Sequence, residues 1–310
     1  MIRTTSLTKT FGDFVALKGI SLEVEEGDIY GFIGPNGAGK TTTIKILTTL
    51  LEPTGGDAWV DGKSVWEDKE AIRGLIGYMP DAFGVYPDMT VNEYLQFFAA
   101  AYGIPRAERQ GLVEGLLELT DLTYKEEALV DSLSKGMQQR LGLARALVHD
   151  PKVLILDEPA AGLDPRARVE LREILRELQR MGKTILLSSH ILSELQDVCN
   201  RIGIVERGEV VAQGSVSEIL DQLSGGGRVR LRTTDDEAAL RLLQSDEAIL
   251  EAGMDDADPT LVWARLREHD ADLSVVSAIL SREGILLRHM DRERVSLEQA
   301  FMQLTKGLVQ

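Results

Sequence analysis

At 310 residues the chain exceeds one typical domain, and its 44% hydrophobic and 27% charged residues are typical of a folded globular protein, not a disordered one. The formal net charge of -16, from 50 acidic and 34 basic side chains, argues against a nucleic-acid binder, because neutralising phosphates needs clustered Lys and Arg. A single cysteine, Cys199, excludes an internal disulfide, and the lack of a signal-peptide core or of any apolar run of about 18 residues predicts a cytoplasmic chain without a membrane span.

The beginning of the chain is predicted to form strands that lead into a glycine-rich loop. Strand-like runs occupy residues 5–9, 14–24 and 28–33, and the last run meets glycine directly, as a buried strand that ends at a loop does. Residues 34–41 then match the P-loop pattern of two glycines followed by Lys and Ser or Thr. The next segment, residues 41–51, is predicted to be helical because its apolar residues fall on one face.

A P-loop at this position indicates a site for nucleotide phosphates. Its glycines let successive backbone N–H groups point at a phosphate, and the following helix presents its positive N-terminal end to the same anion. Lys40 can reach the β- and γ-phosphates, and the Thr41 hydroxyl can bind Mg²⁺. The alternative for the loop alone is a glycine-rich turn. The residues predicted to hold ATP here are Gly34, Pro35, Asn36, Gly37, Ala38, Gly39, Lys40, Thr41 and Thr42.

The middle of the chain alternates strand-like and helix-like segments. Residues 90–93 match a capping box, which marks the start of a helix. We predict a helical lobe over about residues 83–150, and this lobe would be inserted into a layered α/β core with a mostly parallel sheet. Strand-like runs are predicted at residues 75–79, 153–156 and 185–188, and helix-like runs at residues 112–119, 138–148 and 166–181.

Two carboxylates follow the apolar run 153–156 directly. The end of a buried strand would bring Asp157 and Glu158 to the phosphate site. There Asp157 could bind Mg²⁺, and Glu158 could polarise the attacking water as a general base. Alone, the pair could be a solvated acid cluster at a strand end, but the P-loop upstream favours the catalytic interpretation.

Residues 133–137 read Leu-Ser-Lys-Gly-Met, and together with the P-loop and the carboxylates they make residues 1–222 similar to the ABC ATPase family. The resemblance implies that Ser134 and Gly136 of one subunit cap the γ-phosphate held by the P-loop of another. By itself, Ser-x-Gly before a helix would be an ordinary N-cap. It is the order and spacing of the motifs that favour the family's signature segment.

Three smaller motifs resemble the same family. Residues 161–164 match its D-loop, which implies that Asp164 lies at a subunit interface. His190 matches its switch histidine, which would contact the γ-phosphate and help to hold the water. The other histidines are interpreted as ordinary surface or core residues. Phe11 matches the aromatic residue that stacks on adenine, with simple core packing as the alternative.

The chain departs from the family pattern at two positions. Asp81 stands where the family most often has Gln; its carboxylate could bind Mg²⁺ or a water, or it could only cap the loop at residues 83–88. Lys135 replaces the first of the signature's usual two glycines, while Gly136 keeps the close backbone approach.

Three consecutive glycines at residues 225–227 predict a linker ahead of a small α/β domain. In that domain we predict strands at residues 228–232, 260–266 and 285–290 and helices at residues 237–244 and 273–283. Residues 295–305 resemble the closing helix of bacterial exporter ATPases of the drug-, sodium- and polysaccharide-export type. The domain could pack on the ATPase core, or it could bind a partner or regulate a dimer.

The predicted fold is therefore a P-loop α/β core with an antiparallel β lobe and an inserted helical lobe, followed by a small C-terminal α/β domain. We assign residues 1–224 to the ATPase domain, 225–227 to the linker and 228–310 to the accessory domain. The resemblance implies Mg²⁺-dependent ATP hydrolysis by a head-to-tail homodimer. It further implies that the dimer powers export through separately encoded integral-membrane permease subunits, on the inner face of the cell membrane.

Two alternatives remain open at this point. One is a soluble non-transport ABC ATPase that acts on a macromolecular complex, although such proteins usually carry paired ATPase domains or long coiled-coil insertions. The other is a regulatory nucleotide-binding module without productive hydrolysis. The presence of Glu158 and His190 argues against the second alternative.

Overall fold

The computed structural model describes residues 1–82, 84, 86, 88–191, 197–223, 228–255, 258, 261–267 and 273–292. The chain divides into two compact units, Met1–Val216 and Ser217–Gln310. The predicted linker at 225–227 and the predicted closing helix at 295–305 lie outside the described residues, as do residues 83, 85 and 87 of the loop beside Asp81. The assignment of the ATPase domain to residues 1–224 stays a prediction.

The first unit combines two sheets with several helices. Its strands are β1 (Ile2–Phe11), β2 (Phe14–Val24), β3 (Ile29–Ile33), β4 (Gly55–Val60), β5 (Lys63–Ser64), β6 (Ile76–Met79), β7 (Val153–Leu156), β8 (Thr184–Ser189), β9 (Arg201–Glu206) and β10 (Glu209–Ser215). Its helices are α1 (Lys40–Leu47), α2 (Lys69–Leu75), α3 (Val91–Ala101), α4 (Arg106–Leu119), α5 (Lys135–Leu147) and α6 (Pro165–Arg180). A further helix, α7 (Val216–Leu223), begins at Val216, the last residue of this unit. Short 3-10 turns occupy Thr123–Lys125 and Val130–Ser132.

The main sheet has the strand order β10-β9-β3-β8-β7-β6, and only the β9–β10 pairing is antiparallel. Strands β3, β7 and β8 are buried along their whole length, which explains their continuous apolar sequences, because helices or other layers cover both faces of a parallel sheet. The carboxyl ends of these three neighbouring strands lie at one edge of the sheet. The P-loop, the carboxylates Asp157 and Glu158, and His190 follow these strands at that edge.

The second sheet is the predicted antiparallel β lobe, with the strand order β2-β1-β4-β5. Strands β1 and β2 form a hairpin in which Phe11 pairs with Phe14 across Gly12 and Asp13. Gly12 has a φ of 56°, the left-handed conformation that tight two-residue hairpin turns require. The hairpin therefore carries two aromatic residues at its tip.

Helices α3, α4 and α5 contact one another and form the helical lobe. The predicted capping box is present at the start of α3, where the Glu93 N–H donates to Thr90 Oγ1 at 3.2 Å. In return the Thr90 N–H donates to Glu93 Oε2 at 2.9 Å, so two backbone donors at the helix start are satisfied. The lobe is tied to α6 by the buried Arg140 guanidinium, which lies 3.7 Å from Glu170 Oε2.

The second unit is a small α/β domain with its own hydrophobic core. Its strands are β11 (Arg228–Thr233), β12 (Ile249–Met254), β13 (Val262–Leu266) and β14 (Leu287–Arg292), and its helices are α8 (Asp236–Ser245) and α9 (Ser274–Ser281). The sheet order is β12-β13-β11-β14, with every pairing antiparallel. The predicted fold class is thus confirmed for both units. Among the described residues, no helix has the length and apolar character needed to cross a membrane.

Candidate active site

The P-loop joins the end of β3 to the start of α1 and requires glycine at two positions, one for lack of space and one for its backbone conformation. A Cβ on Gly34 would lie 2.2 Å from the Val205 carbonyl oxygen, and Gly39 has a φ of 108°. Gly39 is also the N-cap of α1 and offers no side chain to its first N–H groups. Those donors at the helix start are therefore left for an anion.

Lys40, the first residue of α1, has a buried side chain that bends back over the loop. Its Nζ donates to the carbonyl oxygens of Gly34 at 2.6 Å and Pro35 at 3.3 Å. The same ammonium lies 3.3 Å from Glu158 Oε1, and both side chains are largely buried. A single cation is thus placed between the loop that would hold phosphates and the predicted general base.

Asp157 and Glu158 follow β7 as predicted, and Ser188 at the end of β8 fixes both. The Ser188 hydroxyl donates to Asp157 Oδ1 at 2.6 Å and accepts the Glu158 N–H at 2.9 Å. Glu158 has a φ of 52°, a conformation that costs a non-glycine residue energy and is concentrated at functional sites. The hydrogen bond from its N–H helps to hold this backbone in place.

Glu158 is the centre of the contacts among the predicted catalytic residues. Its Oε2 lies 2.8 Å from His190 Nδ1, while its Oε1 faces Lys40. The structure thus brings Lys40, Glu158 and His190 together, although they lie in segments that follow three different strands, β3, β7 and β8. Nearby, burial and, to a smaller extent, the Asp157 carboxylate raise the pKa of Tyr78 to about 12, so this phenol stays neutral at physiological pH.

These residues border a cavity of about 380 Å³, a size suited to a small-molecule ligand. Of the residues predicted to bind nucleotide or metal or to act in catalysis, the lining includes Phe11, Asn36, Gly37, Gly39, Lys40, Thr41, Thr42, Asp81, Glu158 and His190. Gly34, Pro35 and Ala38 belong to the loop but not to the lining, and Asp157 is 1% exposed. Phe11 is 48% exposed, so it is not a core residue.

Three residues that line this cavity and one that supports it were not predicted as site residues from the sequence. Phe14, Ala16 and Ala161 line the cavity, and Ser188 orients both carboxylates. Phe14 could have been found from the hairpin pattern, because residues directly opposite each other on paired strands project to the same face. Ser188 carried no such signal, since a serine at a strand end has many ordinary uses.

The candidate metal ligands are all hard oxygen donors, which is what Mg²⁺ prefers. Thr41 and Asp81 line the cavity. The Ser188 hydroxyl fixes Oδ1 of the buried Asp157 carboxylate, and Oδ2 has no hydrogen bond with any residue that the structure describes. Within the described ranges, no cluster of three or more His, Cys, Asp or Glu side chains could hold a metal ion without help. This set suits Mg²⁺, which keeps several waters and binds through few protein oxygens together with substrate phosphates.

Ser134 and Gly136, the predicted signature residues, are not among the residues that line this cavity. Ser134 is the N-cap of α5, and its Oγ accepts the Met137 N–H at 3.3 Å. A Cβ on Gly136 would lie 3.0 Å from Ala167 Cβ, so the start of α5 packs closely against the start of α6. Within one chain the signature segment therefore does not complete the cavity.

Comparison with known proteins gives matches along almost the whole chain. The family described as "ABC transporter" matches residues 17–161. A Nod factor export ATP-binding protein I from Paraburkholderia xenovorans is 36% identical over 300 residues, covering 94% of this chain and 97% of that protein. A linearmycin resistance ATP-binding protein from Bacillus subtilis is 29% identical over 306 residues and covers 98% of both chains.

Solved structures match about seven tenths of the chain. The ATP-binding subunit of an ABC transporter superposes with a TM-score of 0.65 at 32% identity, covering 72% of this chain and 92% of that chain. A dimeric ATP-binding cassette in a post-hydrolysis state with ADP and Pi gives a TM-score of 0.63 at 26% identity, covering 70% of this chain and 99% of that chain.

Proposed function

The chain belongs to the ABC transporter family of ATP-binding proteins, and from this membership and the geometry of its site we propose that it hydrolyses ATP to power an exporter. The observation that carries the proposal is the contact of Lys40 and His190 with the two oxygens of Glu158 beside the P-loop. This arrangement supplies a phosphate-binding cation, a base and a residue that orients the base. It argues against a regulatory module without hydrolysis.

In the proposed reaction, the P-loop N–H groups and the N-terminus of α1 hold the nucleotide phosphates. The Gly34 and Pro35 carbonyls already keep the Lys40 ammonium within the loop. To contact the β- and γ-phosphates, Lys40 only exchanges these hydrogen-bond partners for phosphate oxygens. Phe11, exposed at the edge of the cavity, stacks on the adenine. Binding therefore uses residues that are already in place.

Glu158 accepts the proton of the attacking water, and His190 holds the Glu158 carboxylate in the required orientation through Nδ1. The Ser188 hydroxyl holds both the Asp157 carboxylate and the Glu158 backbone in position, because it hydrogen-bonds to each of them. Thr41, Asp157 and Asp81 would hold Mg²⁺, which when bound offsets the charge on the phosphate oxygens. The chain itself supplies the base, its orientation and the phosphate cradle.

The site needs a second chain to be complete. Because Ser134 and Gly136 do not line the cavity of their own chain, we place them over the nucleotide held by another copy, in a head-to-tail dimer. The dimeric cassette that resembles this chain supports this arrangement. Asp164, the N-cap of α6, would then lie at the interface.

The export role is supported by relatives that cover both units. The Nod factor export and linearmycin resistance ATP-binding proteins match this chain along at least 94% of its length, which favours an exporter over a non-transport ABC ATPase. We propose that separate permease subunits carry the cargo and hold this chain on the inner face of the membrane. The accessory domain would serve this complex by packing, by binding a partner or by regulating the dimer.

Phosphate release from ATP at varied Mg²⁺ tests both the activity and the role of Asp81. We expect the wild type to release phosphate only when Mg²⁺ is present. Asp81→Asn is expected to lose most activity at limiting Mg²⁺ and to recover at high Mg²⁺, because an amide oxygen is a weaker ligand than a carboxylate. No phosphate release by the wild type with Mg²⁺ would contradict the proposed activity, and an unchanged Mg²⁺ dependence in Asp81→Asn would make Asp81 a structural cap.

Phe14→Ala is expected to weaken ATP binding about tenfold, because its exposed ring lines the cavity beside Phe11 and base–aromatic stacking is worth about 1–3 kcal/mol. Binding of tripolyphosphate, which lacks the base, should change less than twofold. The matched control is Val15→Ala, an exposed apolar neighbour that does not line the cavity. Equal losses for ATP and tripolyphosphate would assign Phe14 to the fold of the hairpin instead.

A further inference from the structure

The start of α5 and the D-loop segment, defined as residues 161–164, pack against each other within one chain. A Cβ on Gly136 would lie 3.0 Å from Ala167 Cβ and 3.9 Å from Leu163 Cδ2. A larger residue at position 136 would therefore crowd Ala167 at the start of α6. The signature segment and the D-loop segment are therefore one packed surface, not two independent loops.

Lys135 lies across the middle of this surface. Its Nζ, Cε and Cδ are 2.3, 3.2 and 3.6 Å from the point where a Cβ on Gly162 would be. Gly162 has a φ of 68°, so glycine suits this position both for its backbone conformation and for the space that the lysine fills. The contact is made by the outer part of the lysine side chain.

The charge of Lys135 has no partner in the part of the chain that the structure describes. Its exposed ammonium makes no hydrogen bond or ion pair with any residue that the structure describes. It also occupies the first position of α5, where a positive charge opposes the helix dipole. Helix stability therefore does not explain a lysine here, which leaves its contact with the D-loop segment.

The segment beneath Lys135 leads directly to the base. The Ala161 N–H donates to the Glu158 carbonyl oxygen at 3.1 Å, and Ala161 lines the nucleotide cavity. At the other end, Asp164 Oδ1 accepts the Ala167 N–H at 2.9 Å and begins α6. Any shift of this segment is therefore passed to the backbone of Glu158.

We propose that Lys135 is a positioning residue whose side-chain stem holds the D-loop segment, and through it Glu158, against the signature helix of the same chain. This inference rests on the proposed ATPase function and adds a contact within one subunit to it. In the dimer, the signature of each chain meets the other chain's nucleotide. Lys135 would then link closure over the partner's nucleotide to the geometry of the chain's own base.

Two substitutions at position 135 distinguish the effect of the aliphatic stem of the lysine side chain from the effect of its charge. Lys135→Gly removes both, and we expect kcat to fall about tenfold with the KM for ATP within about twofold, because the P-loop is untouched while the base is displaced. Lys135→Met keeps a stem of similar length, and it should retain more than half of the wild-type kcat. The matched control is Lys125→Gly, which removes a half-buried lysine of the same lobe.

An equal loss in Lys135→Met and Lys135→Gly, with a raised KM, would overturn the proposal. That result would show that the ammonium itself acts, for example on a phosphate held by the partner chain. Unchanged kcat in Lys135→Gly would overturn it as well.

Gly162→Asn tests the same contact from the other side. Asparagine tolerates a positive φ, and its side chain would displace Cε and Cδ of Lys135 together with the ammonium, because these atoms lie 3.2, 3.6 and 2.3 Å from the Cβ position. We expect it to lower kcat about as much as Lys135→Gly does, and the double variant to be no worse than either single one, because both remove one interaction. Additive losses would mean that the two residues act separately.

Hydrogen exchange of the full-length chain without nucleotide provides a readout that does not depend on activity. The Ala161 and Leu163 amides, which donate to carbonyls at positions 158 and 160, should exchange about tenfold faster in Lys135→Gly and at the wild-type rate in Lys135→Met. Unchanged exchange in Lys135→Gly would overturn the proposal even if the wild type proves to be an active ATPase. A wild type without ATPase activity but with this exchange pattern would leave the contact supported and the proposed function refuted.

Discussion

Glu158→Gln is expected to bind ATP as well as the wild type, to hydrolyse it about 100- to 10,000-fold more slowly, and to accumulate as an ATP-bound dimer. Glutamine keeps the shape of the side chain and an oxygen that can accept from Lys40, which lies 3.3 Å from the carboxylate. It cannot accept the proton of the attacking water. Because hydrolysis is needed to reopen the dimer, a chain that lacks the base should stay closed around ATP.

Size-exclusion chromatography with light scattering measures this directly. With ATP and Mg²⁺, Glu158→Gln should elute as a dimer, and with ADP as a monomer. Glu206→Gln is a matched control, because Glu206 ends β9 of the same sheet without lining the cavity. If Glu158→Gln remains a monomer with ATP and Mg²⁺, the two-chain arrangement loses its main support.

The strand ends of the main sheet could be predicted from the sequence because each combines a short apolar run with a polar motif. Residues 153–156 were predicted as a strand and are β7, and the P-loop and His190 follow β3 and β8 as expected. Neighbouring parallel strands end at one edge, so the predicted catalytic residues meet there. Local pattern and global topology agree at these positions.

Elements that depend on tertiary contacts were missed. Strand β4 begins with two glycines, and Gly56 has a φ of 73° with its Cβ position 2.1 Å from the Ser6 carbonyl oxygen. Such a sequence has no strand propensity of its own, and pairing with β1 supplies the order. Helix α2, with seven residues, is too short to show a helical period.

The contact between Lys135 and Gly162 could not be predicted for the same reason. The two residues lie in separate motifs, and only the packing of α5 on α6 brings them together. From the sequence, Lys135 could be identified as a departure from the family pattern, but its contact with Gly162 could not be predicted.

The second prediction with a large effect is that two variants, each nearly inactive in ATP hydrolysis alone, regain activity when they are mixed. Lys40→Ala removes the cation at the P-loop, and Ser134→Arg places a bulky charge on the signature segment that would face the partner's nucleotide. Each homodimer should therefore be nearly inactive. A heterodimer of the two has one site with both defects and one site with neither.

Random mixing in equal amounts should make about half of the dimers mixed, each with one intact site, so phosphate release should reach about a quarter of the wild-type rate. Lys45→Ala serves as a control for the first variant, because Lys45 is an exposed residue of α1 outside the cavity. Reconstitution with the membrane partner would strengthen the signal if the isolated chains hydrolyse ATP slowly. ATP-dependent crosslinking of the same mixture reports the heterodimer even if the two sites work only together.

Phosphate release and crosslinking in this mixture most directly measure whether one nucleotide is held by residues of two chains. We expect both signals to appear on mixing, with each variant alone near the background. If wild type shows both signals and the mixture shows neither phosphate release nor crosslinked heterodimer, the shared site is contradicted.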